Sequence, residues 1–212
     1  ERLFSTVIMG STTNAGGLDA ARITPADAPQ GAGMSGETPP PPQAGAMLIR
    51  PMTPTDLPGV LAVQQRCYAP AFHEPSAAFA SKLSGAPGTC WVAASAEEGI
   101  QAYLVSLPVD AHSLPALHAA QWHAPDQAHW LYLHDLAVAP LAQGRSLAPR
   151  LVAQAQHCAR VMGLRQMVLV AVQGSEVFWQ RQGFAAQAWP AGTPQGKLDS
   201  FGPHAQFMAC AL

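Results

Sequence analysis

The pattern of apolar positions divides the chain near residue 47. Of residues 1–46, 13 are Pro or Gly, and Phe4 is the only aromatic residue among them. An aperiodic Pro and Gly content of this order is typical of disordered segments. We therefore predict a disordered N-terminal extension over 1–46 and one folded domain over 47–212.

Within this domain, apolar runs alternate with segments of helical periodicity. Short apolar runs predict strands, and apolar residues spaced three and four apart predict helices. The predicted strands cover 47–51, 90–94, 100–106, 130–138, 166–172 and 205–212. The first predicted helix begins after Thr53. The other predicted helices cover 76–83, 147–162 and 176–182. The order β-α-α-β-β-β-α-β-α-β indicates an α/β fold with helices on a mixed sheet.

The amino-acid composition argues against two classes of function, nucleic-acid binding and membrane association. Apolar residues make up 49% of the chain, charged residues 11%, and the formal net charge is -2. Broad electrostatic binding to nucleic acid needs clustered Lys and Arg, which are missing here. No apolar stretch approaches the ~18 residues that cross a bilayer, so no membrane association is expected. Four widely spaced cysteines and no visible signal peptide indicate reduced thiols in a cytoplasmic protein.

The segment with the clearest chemical implication lies between the strand at 130–138 and the helix at 147–162. A short loop of small residues joins them, so backbone N–H groups at the helix start are available to an anion. Arg145 adds a further candidate phosphate contact. From the residues alone, an ordinary strand-to-helix turn is the alternative, and neither a Walker loop nor a dinucleotide fingerprint occurs.

The loop sequence Gln143-Gly-Arg-Ser-Leu-Ala148 is similar to the pyrophosphate loop of the GNAT superfamily of acyl-CoA-dependent N-acyltransferases. That loop follows Gln/Arg-x-x-Gly-x-Gly/Ala, and Ser146 stands where Gly is usual. Leu136-Ala-Val138 resembles the strand that pairs with the pantetheine arm in this superfamily, and the segment 178–184 resembles its later Phe-Tyr-x-x-x-Gly-Phe element. The resemblance spans 47–212.

This resemblance implies a mixed, mostly antiparallel central sheet flanked by helices, with acetyl-CoA as cosubstrate. The residues that it assigns to coenzyme binding are Leu136, Ala137, Val138, Gln143, Gly144, Arg145, Ser146, Leu147, Ala148, Ser175, Phe178 and Trp179. Trp179 occupies a place where relatives often carry a tyrosine that protonates the departing thiolate. Because an indole exchanges no proton usefully at neutral pH, we expect Trp179 to pack the short helix. The general acid is left open.

His134 is the candidate base. The segment Leu133-His-x-Leu-Ala-Val138 resembles the arylalkylamine N-acetyltransferase branch, in which a histidine here helps to deprotonate the amine. Strand alternation predicts Tyr132, His134, Leu136 and Val138 on one face and Asp135 on the other. Tyr132 is the expected hydrogen-bond partner of His134. Asp135 ranks second as a base: a β-bulge would turn it toward the cleft, and without one we expect it to fix a loop or to pair with an arginine. A purely structural histidine is the alternative.

Two other groups of residues merit a prediction. Tyr68, Phe72, His73 and Glu74 lie in a loop that borders the acceptor site in the family. Glu74 either attracts an amine there, or the loop is simply anchored by its aromatic residues. Four histidines lie in and around a polar loop, at 112, 118, 123 and 129. Without a cysteine or an i,i+4 pair beside them, we expect no metal site.

The predicted activity is transfer of an acetyl group from acetyl-CoA to the primary amine of a small molecule, by direct attack. Backbone N–H groups near Leu136 are expected to stabilise the oxyanion. One alternative is acetylation of a protein N-terminus or a lysine. Another is a CoA-binding module without catalysis. The sequence leaves a homodimer open.

Overall fold

A computed structural model of the chain describes residues 46–115, 119–172, 174–193, 201 and 204–212. The predicted disordered extension therefore lies, apart from residue 46, outside the described residues. The helices are α1 (Leu57–Cys67), α2 (Ser76–Gly85), α3 (Leu147–Val161) and α4 (Glu176–Arg181). The strands are β1 (Leu48–Pro51), β2 (Trp91–Ser95), β3 (Gly99–Val109), β4 (Trp130–Val138), β5 (Gln166–Ala171), β6 (Ala185–Ala186) and β7 (Gln206–Ala211).

The predicted order of strands and helices is confirmed, with two differences. The two-residue strand β6 was not predicted, because two alanines produce no periodicity. β3 is longer than predicted, since Pro108 and Val109 continue its pairing with β4. The start of α1 follows its sequence signal. A 3-10 turn at Pro54–Asp56 precedes it, and the Asp56 carboxylate accepts the N–H of Thr53 at 2.8 Å.

The seven strands form one sheet in the order β1-β2-β3-β4-β5-β7-β6. All neighbours pair antiparallel except β4 and β5, which are parallel. This parallel pairing covers only 130–133 against 166–169, while β5 continues along β7 as far as Ala171. β4 therefore has no partner strand on its β5 side from residue 134 onward. We call residues 134–138 on that side the split edge.

A β-bulge interrupts β4 where the split begins. Val105 of β3 pairs with Asp135 and the next residue, Ser106, pairs with Leu133, so no residue of β3 lies opposite His134. A bulge shifts the alternation of side chains by one residue. The predicted alternation is therefore wrong beyond His134. Asp135 lies on the same face as His134, while Leu136 and Val138 lie on the opposite face.

Helices cover both faces of the sheet. The adjacent β3 residues Tyr103 and Leu104, which point to opposite faces, are both fully buried. Phe79 of α2 meets the ring of Tyr103 edge-on, with the ring centroids 5.9 Å apart. α3 packs against β2, β3 and β4. Among the described helices, none combines the length and the apolar character that crossing a membrane requires.

Candidate active site

The predicted base, His134, belongs to a buried network of ionisable side chains. Its Nε2 lies 3.3 Å from Oε1 of Glu74, in the loop between α1 and α2. Lys82 of α2 donates from Nζ to both oxygens of the same carboxylate, each at 2.8 Å. All three side chains are at least 96% buried. The loop after α1, the helix α2 and the bulge of β4 thus bring a carboxylate, an ammonium and a histidine together.

Hydrogen bonds also fix the backbone of Glu74. Gln64, on the buried face of α1, donates from Nε2 to the Glu74 carbonyl at 3.0 Å. Its Oε1 accepts the Glu74 N–H at 2.9 Å. A side-chain amide that satisfies both backbone groups of one residue fixes the direction in which that residue's side chain leaves the chain. The hydrogen bonds with Gln64 and Lys82 therefore hold the Glu74 side chain in an orientation that faces His134.

Burial alone would raise the pKa of the Glu74 carboxyl, but His134 and Lys82 oppose this effect and lower the pKa to about 2. The group is consequently a carboxylate at neutral pH. The sequence-based interpretation that Glu74 attracts a substrate amine requires an accessible carboxylate. In the structure Glu74 is buried, and the cation that it binds is Lys82.

Tyr132 contacts His134 in a way that differs from the prediction. The two ring centroids are 5.8 Å apart and the rings are inclined at 53°. Within the described residues, the side chain that lies within hydrogen-bond distance of the imidazole is that of Glu74. Tyr132 is thus a packing neighbour of His134, and burial raises the pKa of its hydroxyl.

Asp135, the second candidate base, is already engaged by two tyrosines. The hydroxyl of Tyr68 donates to Oδ1 and that of Tyr103 donates to Oδ2, both at 2.7 Å. Burial raises the pKa of Asp135, while the two hydrogen bonds act in the opposite direction. The bulge places Asp135 on the same face as His134, where its hydrogen bonds tie β4 to β3 and to the end of α1.

The backbone of the split edge is arranged for binding. Ala139 donates its N–H to Gln101 of β3, so the alternate residues Leu136 and Val138 direct their N–H and C=O groups away from β3. The carbonyl of Leu136 lies 3.1 Å from the Tyr68 hydroxyl, and that of Val138 lies 3.3 Å from the Cys67 thiol. The corresponding N–H groups face the gap that β5 leaves.

The loop before α3 has the form expected of an anion site. Within the described part of the chain, no carbonyl or side chain accepts the backbone N–H groups of residues 144–148. Gly144 and Ser146 have φ angles of 79° and 56°, which lie in the left-handed region. This conformation turns successive N–H groups outward at the positive end of the helix dipole. Leu147 and Ala148 are buried by their side chains and contribute only backbone groups.

Arg145 is paired with a carboxylate in this structure. Its guanidinium donates to both oxygens of Glu98, in the turn between β2 and β3, at 2.7 and 3.0 Å. Both side chains are partly exposed. The predicted phosphate contact of Arg145 therefore competes with an existing ion pair.

The residues around α4 are buried. Trp179 is fully buried against Phe178 and Phe184, with ring centroids 4.9 and 5.3 Å apart, and its Nε1 has no hydrogen-bond partner among the described residues. This agrees with the expected packing role. Ser175 directly precedes α4, and its hydroxyl donates to the Val172 carbonyl at 2.8 Å and makes no capping hydrogen bond to the helix.

The remaining predicted residues do not join the site chemistry. His73 contacts the carbonyl of Tyr68 at 2.9 Å and so braces its own loop. Burial raises the pKa of the Cys67 thiol to about 11, which keeps it protonated. His118 lies outside the described residues. In the part of the chain that is described, no three or more His, Cys, Asp or Glu side chains form a group that could hold a metal ion.

Sequence reasoning missed Lys82 and Gln64. A signal for Lys82 exists, because it lies three residues after Phe79 and beside Leu83, on the apolar face of α2. A charged residue on such a face needs a buried partner of opposite charge. Gln64 interrupts the buried face of α1 in the same way. Neither pattern identifies the partner.

Comparison with known proteins places these features in context. The model of a family described as the acetyltransferase (GNAT) family matches residues 57–184. This range includes both the split edge and the loop before α3. Among curated proteins, no sequence matches the chain.

Solved structures resemble the fold at low identity. A GNAT-like decarboxylase in complex with isobutyryl-CoA has 19% identity and a TM-score of 0.62, covering 77% of this chain and 98% of its own. The ribosomal-protein-S18-alanine N-acetyltransferase from Escherichia coli has 16% identity and a TM-score of 0.55, covering 78% and 94%. An agmatine N-acetyltransferase has 18% identity and a TM-score of 0.55, covering 79% and 99%. These similarities show a common fold among proteins that are named for different reactions or substrates.

Proposed function

The chain belongs to the acetyltransferase (GNAT) family, and on this premise we propose that it transfers the acetyl group of acetyl-CoA to a primary amine of a small molecule, with His134 as general base. One observation carries the proposal. The imidazole of His134 lies where β4 parts from β5, and its Nδ1 is buried without a hydrogen-bond partner among the described residues.

The residues fit an acyl-CoA cosubstrate. The unpaired N–H groups of residues 144–148 suit a diphosphate, which binds readily at a helix N-terminus. The N–H groups of Leu136 and Val138 face the gap between β4 and β5 and are placed to bind an extended amide-bearing arm or a thioester oxygen. Coenzyme A carries both the diphosphate and the amide-bearing arm. Leu136, Ala137, Val138 and the loop 143–148 are therefore proposed as the coenzyme site.

Direct transfer requires a neutral amine nucleophile. An alkylamine is mostly protonated at neutral pH, whereas imidazole titrates near pH 6.5 in model peptides. His134 accepts a proton from the amine, and the amine nitrogen then forms a bond to the thioester carbonyl carbon. The oxygen of the tetrahedral intermediate gains negative charge, which the N–H of Leu136 stabilises.

Collapse of the intermediate breaks the C–S bond and releases the coenzyme as a thiolate. The N-acetylated product keeps the new C–N bond, its nitrogen loses a second proton to water, and the protonated His134 returns its proton to water. Trp179 supplies no proton for this step, since the indole N–H is not acidic at neutral pH. The thiolate leaves without a protein acid and takes its proton from water.

The choice of a small amine rests on the segment Leu133–Val138 and on the lining beside it. Tyr132 packs against His134, and Tyr68 reaches Asp135 on the same face of the sheet. Lys82 neutralises the Glu74 carboxylate, and the hydroxyls of Tyr68 and Tyr103 bind the Asp135 carboxyl. Aromatic rings beside the base suit an arylalkyl or alkyl amine. We further propose a cytoplasmic protein that acts without nucleic acid or membrane partners.

The proposal is tested by incubating the protein with acetyl-CoA and a panel of amines while free thiol is measured. Thiol release with at least one small amine, reduced about 100-fold or more in His134→Ala, is the expected result. His129→Ala is the matched control, because this exposed histidine directly precedes the same strand and lies outside the site. It should retain full activity.

Three further results would overturn the proposal. Release with N-terminal or lysine peptides alone would indicate protein acetylation. CO2 release from malonyl-CoA without an amine would indicate the reaction named for one of the similar structures. Tight binding of CoA in calorimetry with no release in any arm would indicate a binding module.

A further inference from the structure

Glu74 and Lys82 form a buried ion pair on the face of the sheet that α1 and α2 cover, and this burial requires an explanation. The side chains of Glu74 and Lys82 are 96% and 99% buried. Removing two charges from water costs more free energy than an ion pair on the surface contributes. Gln64 adds two hydrogen bonds that orient Glu74. In the described residues, the further side chain that this arrangement touches is His134. The pair is therefore built around the imidazole.

The donor and acceptor inventory of the pair determines the state of His134. An ionised carboxylate only accepts hydrogen bonds, and an ammonium only donates them. Lys82 donates to both oxygens of Glu74, and Oε1 of Glu74 also faces Nε2 of His134 at 3.3 Å. Nε2 must then carry a hydrogen. In the neutral imidazole the lone pair is consequently on Nδ1.

Nδ1 is itself the atom that lacks a partner. It is buried from solvent, and no described residue lies within hydrogen-bond distance of it. A buried nitrogen acceptor without a donor is destabilising unless a ligand completes it. The ion pair faces one nitrogen of the ring, and the other nitrogen has a lone pair without a hydrogen-bond donor. These two independent observations both indicate that Nδ1 is the proton acceptor.

We propose that Glu74 and Lys82 are positioning residues that hold His134 with its hydrogen on Nε2, which leaves Nδ1 as the atom that accepts the proton of the substrate amine. The proposal rests on the proposed function, since it names the reacting nitrogen of the base inferred above. Glu74 and Lys82 touch no substrate. They act through the tautomer of the imidazole.

Glu74→Gln distinguishes this role from simple packing. Because the Lys82 ammonium can only donate, the carboxamide oxygen of the new side chain faces Lys82 and its NH2 group faces His134. The imidazole must then accept at Nε2 and carry its hydrogen on Nδ1. The substitution thus inverts the tautomer while it keeps the volume of the side chain.

The tautomer is read directly by 15N NMR of the histidine rings, at mildly alkaline pH and without substrates. His134 is assigned by comparison with His134→Gln. The expected result is a protonated Nε2 in the unmodified protein and a protonated Nδ1 in Glu74→Gln. A protonated Nδ1 in the unmodified protein, or an unchanged tautomer in the variant, would overturn the proposal.

Kinetics supply the second measurement. Glu74→Gln should lower kcat about 100-fold or more, toward the value of His134→Ala, with little change in KM for acetyl-CoA. The double variant Glu74→Gln with Lys82→Met removes the ammonium that orients the carboxamide. Either tautomer is then allowed, so kcat should recover at least about tenfold relative to Glu74→Gln.

The double variant also addresses folding. If Glu74→Gln failed to fold because Lys82 lost its charge partner, the double variant would restore the native far-UV circular dichroism, and its tautomer and kcat could still be measured. Equal loss of kcat in both folded variants would contradict the positioning role. The NMR result needs no turnover, so a protein that acetylates no amine would refute the proposed function and leave this inference open to its own test.

Discussion

Ser146 has a backbone conformation that its residue type seldom adopts. Its φ and ψ angles of 56° and 27° lie in the left-handed region, and it is the non-glycine residue with positive φ in the described part of the chain. The Cβ of an L-residue is crowded there, at a cost of about 1 kcal/mol or more. The serine therefore stores strain at the start of α3, where the N–H groups must remain free.

Ser146→Val should lower the free energy of unfolding by about 1–2 kcal/mol, because a β-branched residue is strongly disfavoured at positive φ. Ser146→Ala is the control. The Ser146 hydroxyl makes no capping hydrogen bond, so its loss should change stability by less than about 0.5 kcal/mol. Urea unfolding of the three proteins measures the difference. Equal stability of the Val and Ala variants would contradict a left-handed backbone at this position.

At the scale of single elements, α3 connects the loop of residues 143–146 to the sheet. Its buried stripe is Leu147, Ala148, Leu151, Val152, Ala155 and Ala159. The opposite side ends in Val161, which is 75% exposed. Packing of this stripe against β2, β3 and β4 holds the helix start beside the split edge. The loop geometry is thus a consequence of helix docking.

Leu151→Ala should cost about 2–5 kcal/mol of unfolding free energy, since Leu151 is fully buried and its truncation leaves a cavity. Val161→Ala removes an exposed apolar side chain from the same helix and should stay within about 0.5 kcal/mol. Thermal and urea unfolding compare the two. A small loss for Leu151→Ala would show that α3 is not docked through this stripe.

At the scale of the whole molecule, two carboxylates connect stability to pH. A hydrogen bond from Arg50 is the main cause that lowers the pKa of Asp56 to about 2. The pKa of Glu74 is also lowered to about 2, by His134 and Lys82 against the effect of burial. Both folded values lie below the ordinary range near 4. Their contribution to stability is present above pH 4 and is lost as the pH falls through about 2.

The free energy of unfolding should therefore decrease between about pH 5 and pH 2, because the unfolded chain binds these protons more readily than the folded one. Asp56→Asn should make this decrease shallower. Asp126→Asn serves as the control, as Asp126 is exposed and makes no ion pair among the described residues. Urea midpoints over a series of pH values provide the measurement. An identical acid slope in all three proteins would refute the assignment for Asp56.

Much of the fold followed from local patterns. The order of strands and helices and the start of the first helix after Thr53 depend on residues within a few positions of each other. Local signals of this kind are readable because side-chain period and capping chemistry act over one or two turns. β6 was not predicted, because the two residues Ala185 and Ala186 show no hydrophobic periodicity. The partner β7 defines this strand.

By itself, the sequence determined the mixed order of elements, a histidine in the fourth strand and a loop of small residues before a long helix. These features depend on neighbours along the chain. Only the tertiary structure decided that β4 bulges at His134, that Asp135 turns to the tyrosines, and that Glu74 and Lys82 meet the imidazole. Glu74 and His134 are 60 residues apart, and a bulge exists only relative to the strand that it pairs with. Such contacts are selected by packing across the sheet, which periodicity does not encode.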